Sequence, residues 1–218
     1  FYLGQSYKGQ GKYDEAIAYF ESYKTKNGAD ISMANSEIYG CQMSKDWMSE
    51  GSRYRVLNVQ KLNSKANDFS PAFGNRDYTK IYLVSSRKGS SNDNIDERTG
   101  EFFTDVWSSS LNKKGEWSKP KAEVDPINTD NHEGTLCLNQ NGTTMFFTTC
   151  QSENKKELGC EISISQLKGK IWGSLNKLEV KVDSNTTIGH PTINTEENLV
   201  IFSADIDGGY GGKDLWMV

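Results

Sequence analysis

Gly189-His190-Pro191-Thr192-Ile193, then Leu199-Val200-Ile201-Phe202-Ser203-Ala204, then Gly208-Gly209-Tyr210-Gly211-Gly212-Lys213-Asp214-Leu215-Trp216 decide how the rest of the chain is read. The run predicts three β-strands: a short one carrying a proline, a hydrophobic one, and one ending in an Asp-Leu-Trp triplet. A Gly-rich turn joins the last two, and glycine reverses a hairpin tightly because it takes φ > 0 without penalty.

Working back from this stretch, the same plan recurs twice. One unit runs through Leu62-Asn63-Ser64, Phe69-Ser70-Pro71-Ala72-Phe73, Ile81 to Arg87, Asp105-Val106-Trp107 and Gly115-Glu116-Trp117. A second runs through Ile127-Asn128-Thr129, His132 to Leu136, Thr144 to Thr149, Cys160-Glu161-Ile162 and Gly169 to Trp172. The third opens at Val182-Asp183-Ser184. Asn63 to Asn128 is 65 residues, Asn128 to Asp183 is 55, and Trp117 to Trp172 is 55. Four short strands in about 50 residues is the spacing of a β-propeller blade. The extra length of the first unit falls in one hairpin, Lys88 to Thr104, where insertion costs little because its ends are already paired. Ahead of these units, Tyr54, Val56 and Asn58 alternate with Arg55, Leu57 and Val59 from Ser52 onward, which predicts a strand.

Residues 1 to about 50 change to a helical period. Leu3-Gly4-x-x-Tyr7 and Ala16-x-x-x-Phe20 flank Gly11-Lys12-Tyr13-Asp14-Glu15, the spacing of a tetratricopeptide repeat. Gly4 lets two helices approach, Ala16 is the small residue opposite it, and Tyr7 and Phe20 fill the groove. Asp14 and Glu15 favour the positive end of the second helix. A third helix is predicted over Ile31 to Met48, with Asp30 or Ser32 as N-cap and an imperfect stripe of Met33, Ile38, Cys41 and Trp47. It reads as the cap that covers the last apolar face of a repeat array.

Ser70-Pro71-Ala72-Phe73, the strands ending Ser85-Ser86-Arg87 and Ser203-Ala204-Asp205, and Asp105-x-Trp107 and Asp214-Leu215-Trp216 resemble the TolB-type, WD-like propeller repeat. Pro191 matches Pro71. The second unit departs: Gly134 stands for the proline, Thr148-Thr149-Cys150 for Ser-Ser-Arg, and Cys160-Glu161-Ile162 for Asp-Leu-Trp. Tetratricopeptide repeats followed by such a propeller resemble envelope proteins of Bacteroidetes. In that family the pair precedes a carboxypeptidase-regulatory-like domain and an OmpA-like peptidoglycan-binding domain. The resemblance implies an α + β chain of two domains. Residues 1–51 are a tetratricopeptide repeat and cap; residues 52–218 are about 2.7 propeller blades, and closure needs at least about four. It also implies a non-catalytic periplasmic scaffold at the outer membrane, exported or lipid-anchored through a segment outside this sequence. Its expected partners are other envelope proteins of a type IX secretion or gliding complex, with peptidoglycan held by a domain outside this sequence.

Composition limits the other classes. Net charge −4 over 218 residues argues against nucleic acid, which selects a basic face, and no run reaches a membrane span. The two histidines, His132 and His190, are far from any sequence cluster, and no C-x-x-C pair occurs, so no zinc site and no cofactor are expected. Both histidines sit just before the first strand of their units, which favours a structural part over a catalytic one. Asn92-Asp93-Asn94-Ile95-Asp96-Glu97 has alternating oxygen ligands but lacks the glycine and distal glutamate of a calcium loop, so it reads as a polar hairpin tip. Asp205-Ile206-Asp207-Gly208-Gly209 reads as a glycine turn, not a metal loop.

Asp105 and Asp214 are expected to bond backbone amides, and Trp107 and Trp216 to pack between neighbouring units. Cys150 and Cys160 flank a polar turn, Gln151 to Gly159. They form either a cross-hairpin disulfide in an oxidising compartment or two half-buried thiols. A propeller that binds or processes a peptide or glycan is the alternative function. A cytoplasmic adaptor is a third reading, and it requires those two thiols to stay reduced.

Overall fold

The computed structural model describes residues 1–51, 53–89, 94–153, 156–180 and 186–218, with side chains of the long hairpin described through 151 and from 159. It divides into two compact units, Phe1–Asn58 and Val59–Val218. Ser52, Asn92, Asp93 and the opening of the third sequence unit at Val182-Asp183-Ser184 lie outside the described residues.

The first unit holds α1 (Tyr2–Gly9), α2 (Tyr13–Lys24) and α3 (Ile31–Glu50). Helices α1 and α2 close on each other where Gly4 meets Phe20, and a Cβ on Gly4 would sit 2.8 Å from that ring. Phe20, rather than Ala16, is therefore the residue opposite Gly4. Ala16, Phe20, Ile38 and Cys41 form the core, with Tyr7 packed against it and stacked on Tyr19 at 5.2 Å. Asp30 caps α3 by accepting the Met33 N–H at 2.9 Å. Two stripe residues fall off the packed face. The buried line on α3 is Ala34, Ile38 and Cys41, whereas Met33 and Trp47 are exposed, because only i, i+4, i+7 positions share a helix face. Leu3 is also half exposed.

The alternation over 54–59 does not become a strand. Residues 53–58 lie outside every ladder, and Tyr54, Val56 and Leu57 are exposed. Alternation describes two faces of an extended chain, but a strand also needs a neighbour to take its backbone groups.

The second unit is three antiparallel sheets. The first takes β1 (Asp68–Phe73), β2 (Lys80–Ser85), β3 (Asp105–Ser110) and β4 (Lys121–Ala122) in chain order. The second takes β5 (His132–Leu138), β6 (Thr144–Glu153), β7 (Lys156–Lys168) and β8 (Ile171–Trp172), with β9 (Asn176–Lys177) also on β7. The third takes β10 (Ile188–Ile193), β11 (Val200–Ala204) and β12 (Asp214–Met217). The fourth strand of the first sheet lies at Lys121–Ala122, not at 115–117. Asn112 folds 112–116 into a turn by accepting the N–H groups of Lys114 and Glu116, leaving Trp117 only an isolated bridge to Leu111.

The middle sheet is buried on both faces, and strand period explains how. On β6, Met145 and Phe147 point into one core with Tyr82, Val84, Val106 and Ile127, while Phe146 points into a second with Ile188, Val200 and Phe202. Each sheet starts on a bulged strand: the register shifts between Phe69 and Ala72, between Glu133 and Leu136, and between Gly189 and Thr192. A bulge leaves an N–H out of the ladder, so Pro71 and Pro191 are tolerated there. Aligning the bulges puts Ser70, Gly134 and His190 at one position, and Pro71, Thr135 and Pro191 at the next. Thr135, not Gly134, thus stands where the other sheets carry proline, and His132 lies two residues ahead of the position that His190 fills.

The bulges also join the sheets. Leu136 N–H donates to Ser70 Oγ at 3.0 Å, and His190 N–H donates to Thr148 Oγ1 at 2.9 Å.

Candidate functional site

The starts of β1, β5 and β10 and the ends of β2 and β11 fall at the same end of their sheets, because the ladders pair Asp68 with Ser85, His132 with Cys150 and Ile188 with Ala204. In the first sheet this end is a polar lock. Asp68 accepts from Ser64 N–H at 2.6 Å and Ser85 Oγ at 2.6 Å, and it pairs closely with Arg87. Burial alone would raise the Asp68 carboxyl, but the bonds from Ser85, Ser64 and Arg87 together hold it below its ordinary value. Ser86, also buried, donates to Glu101 Oε2 at 3.0 Å, which takes a second bond from Asn67 at 2.6 Å. Glu101, Ser86 and Phe102 thereby form a wall shared by two clefts of about 380 and 420 Å³.

A second lock ties the first sheet to the second. Arg98 holds the Asp96 carboxyl below its ordinary value against the cost of burial. Asp96 also meets His132 Nε2 at 3.1 Å. The main-chain N–H of Thr104 points at His132 Nδ1 (3.2 Å), and the Thr104 hydroxyl lies 3.1 Å from the same nitrogen. An amide N–H that already uses the Nδ1 lone pair weakens any pull on the hydroxyl proton, so the chain Thr104–His132–Asp96 works as a pin between hairpin and strand. Asp96 belonged to the polar tip whose oxygens suggested calcium; its carboxylate is taken by Arg98 and His132. Among the described residues no group of three or more His, Cys, Asp or Glu is placed to hold a metal.

Asp105 and Trp107 sit on β3, both buried, and Arg87 lies over the Trp107 ring at 5.2 Å from its centroid. Pro71 and Phe73 lie on the exposed face of β1. In the third sheet Pro191 is buried, and Asp205 accepts the Thr187 N–H at 2.6 Å. Asp214 closes the Gly-rich turn by accepting from Tyr210 and Gly211 N–H at 2.8 and 3.1 Å, and Trp216 donates to the Ala204 carbonyl at 3.1 Å. Cys150 and Cys160, directly opposed on β6 and β7 with Cα atoms 4.1 Å apart, are joined by a disulfide. They occupy the rung that Ser85 and Asp105 fill in the first sheet and Ala204 and Asp214 in the third. Where the third sheet stops its turn with a carboxylate, the second clamps its longer hairpin covalently.

Three residues matter that pattern reading did not single out as sites. Asn128, buried, pairs with the backbone of Val106 as a strand would, accepting its N–H at 2.8 Å and donating to its carbonyl at 3.0 Å. Glu133 is fully buried, and burial first, then the nearby Asp105 charge, push its carboxyl up to about 8 against the bond from Thr129. Asn139 belongs to a set. Asn75, Asn139 and Asn194 each accept from the N–H groups four and five residues on, closing the first hairpin turn of each sheet. The fourth residue of each turn, Tyr78, Gly142 or Glu197, has positive φ. Their spacings, 64 and 55 residues, were a readable sequence signal.

No family model and no curated protein matches the chain. Among solved structures the chain is similar to TolB from Acinetobacter baumannii, with a TM-score of 0.37 and 13% identity, covering 72% of this chain and 42% of that one. The chain thus spans about two fifths of the length of that protein.

Proposed function

We propose that residues 1–51 are a tetratricopeptide repeat with its capping helix and that residues 52–218 are successive blades of a β-propeller, together serving as a non-catalytic scaffold in the periplasm. In this reading the chain binds other envelope proteins of a type IX secretion or gliding complex at the outer membrane, as the domain order of PorE suggests by resemblance. The link to peptidoglycan is made by an OmpA-like domain outside these residues.

The observation that carries the reading is the repeat itself. Three sheets share a bulged first strand, an Asn-closed turn and in-order antiparallel pairing, and repeated sheets present a broad face of loops suited to binding. The polar groups at the sheet ends also favour it, since Asp68, Arg87, Asp96 and His132 are held in mutual locks. Among the described residues no helix is long and apolar enough to cross a membrane.

The test is an affinity pull-down of the tagged full-length protein from mildly crosslinked cell envelopes, with and without muramidase. Recovery of secretion or motility components in both samples supports the scaffold. Recovery of wall fragments or a small ligand alone would sink it.

A further inference from the structure

Along the outer edge of the first sheet lies a cleft of about 600 Å³ whose charge opposes that of the chain. The chain carries net −4, yet Arg87, Lys88, Lys119 and Lys121 line this cleft against a single carboxylate, Glu123. Arg87 is already paired with Asp68 and held over Trp107. Lys88, Lys119 and Lys121 are exposed and form no ion pair among the described residues.

Lys119 lies just before β4 and Lys121 on it, at the outermost strand of the sheet. The pairing with β3 slips by one residue across this stretch: Ser118 N–H donates to Ser110, whereas Lys121 pairs with Ser108. Lys88 enters from the far side of β3, on the segment that leaves β2. Pro120 removes an edge N–H between the two lysines, so recognition runs through side chains rather than strand addition. Trp107, on the cleft floor, is 5% exposed and its indole N–H, like that of Trp172 in the second sheet, has no acceptor among the described residues, whereas Trp216, at the matching rung of the third sheet, donates to Ala204.

We propose that this cleft binds an acidic peptide segment of a partner protein, its carboxylates met by Lys119 and Lys121 from the edge strand and by Lys88 from the segment that follows β2. A single small anion would match the site poorly. Separate ammonium groups act as spaced point charges rather than a bidentate fork. The proposal rests on reading the chain as a protein-binding module, and it places one contact of that module.

The experiment is fluorescence anisotropy of a labelled (Glu-Ser)₃ peptide against the whole chain. Saturable binding is expected, weakening as salt rises from about 50 to 200 mM. K119E/K121E should lower affinity about tenfold or more, whereas K113E/K114E, an equal charge change in the exposed turn outside the cleft, should leave it unchanged. Inorganic phosphate should displace the peptide no better than chloride at matched ionic strength. No binding, equal loss in both double variants, or specific displacement by phosphate would each overturn the proposal. Envelope pull-down with K119E/K121E separates the two readings: partners still recovered after a failed peptide assay would leave the scaffold standing and remove the cleft.

Discussion

Glu133→Gln should remove a large part of the pH dependence of stability. The carboxyl is fully buried and pushed from its ordinary 4.5 up to about 8, so between those values the folded state holds a proton that the unfolded state has released. Stability rises with pH only where the unfolded chain binds more protons; here the folded chain does, so stability falls as pH rises through this window. The contribution is fully present below about 4.5, declines steadily, and is gone above about 8. At 1.36 kcal/mol per unit, the parent should lose up to roughly 4 kcal/mol from this group between about pH 5 and pH 8.5.

Glutamine copies the shape of the protonated acid, and its carbonyl can still accept the Thr129 hydroxyl, which lies 2.6 Å from Glu133 Oε1. It does not titrate. Urea unfolding of both proteins at the two pH values, followed by circular dichroism, measures the effect as a difference, so all other titrating groups cancel. E133Q should gain on the parent as pH rises, by several kcal/mol at the alkaline end. Parallel stability curves would show that Glu133 ionises in place without penalty, and the burial argument would be refuted.

Other perturbations address separate parts of the fold. Cys150→Ser with Cys160→Ser should cost about 2 to 3 kcal/mol by freeing a ten-residue separation in the unfolded chain, and its thermal midpoint should become insensitive to reductant while the parent's falls. Asn139→Ala should destabilise by about 1 to 3 kcal/mol in urea and by more than Asn75→Ala. It leaves the Thr143 and Thr144 N–H groups without their acceptor and also cuts the tie to Glu197 on the next turn; equal losses would refute that tie. Gly142→Ala should be worse than Gly115→Ala in thermal melts. Both positions have positive φ, but a Cβ on Gly142 would lie 1.9 Å from the Gly74 carbonyl oxygen, while one on Gly115 meets open space.

The chain by itself determined whatever depends on near neighbours. Helical period set α1 and α2, a cap at Asp30 or Ser32 bounded the start of α3, and alternation with glycine turns marked the strands of three repeated sheets; that Phe20 rather than Ala16 meets Gly4 came only with packing. Tertiary structure alone decided what depends on a partner. Residues 54–59 alternate like a strand, yet no ladder receives them. The bulges that place Ser70, Gly134 and His190 at one rung appear only once first and second strands are in register. The burial of Glu133 follows from where β5 packs and not from its own stretch of sequence. The basic cleft joins Lys88 to Lys119 and Lys121, which lie over 30 residues apart and meet only because β3 holds β2 and β4 on its two sides. Local pattern sets dihedral period and turn chemistry over a few residues, whereas pairing, burial and charge clustering are properties of surfaces that distant segments build together.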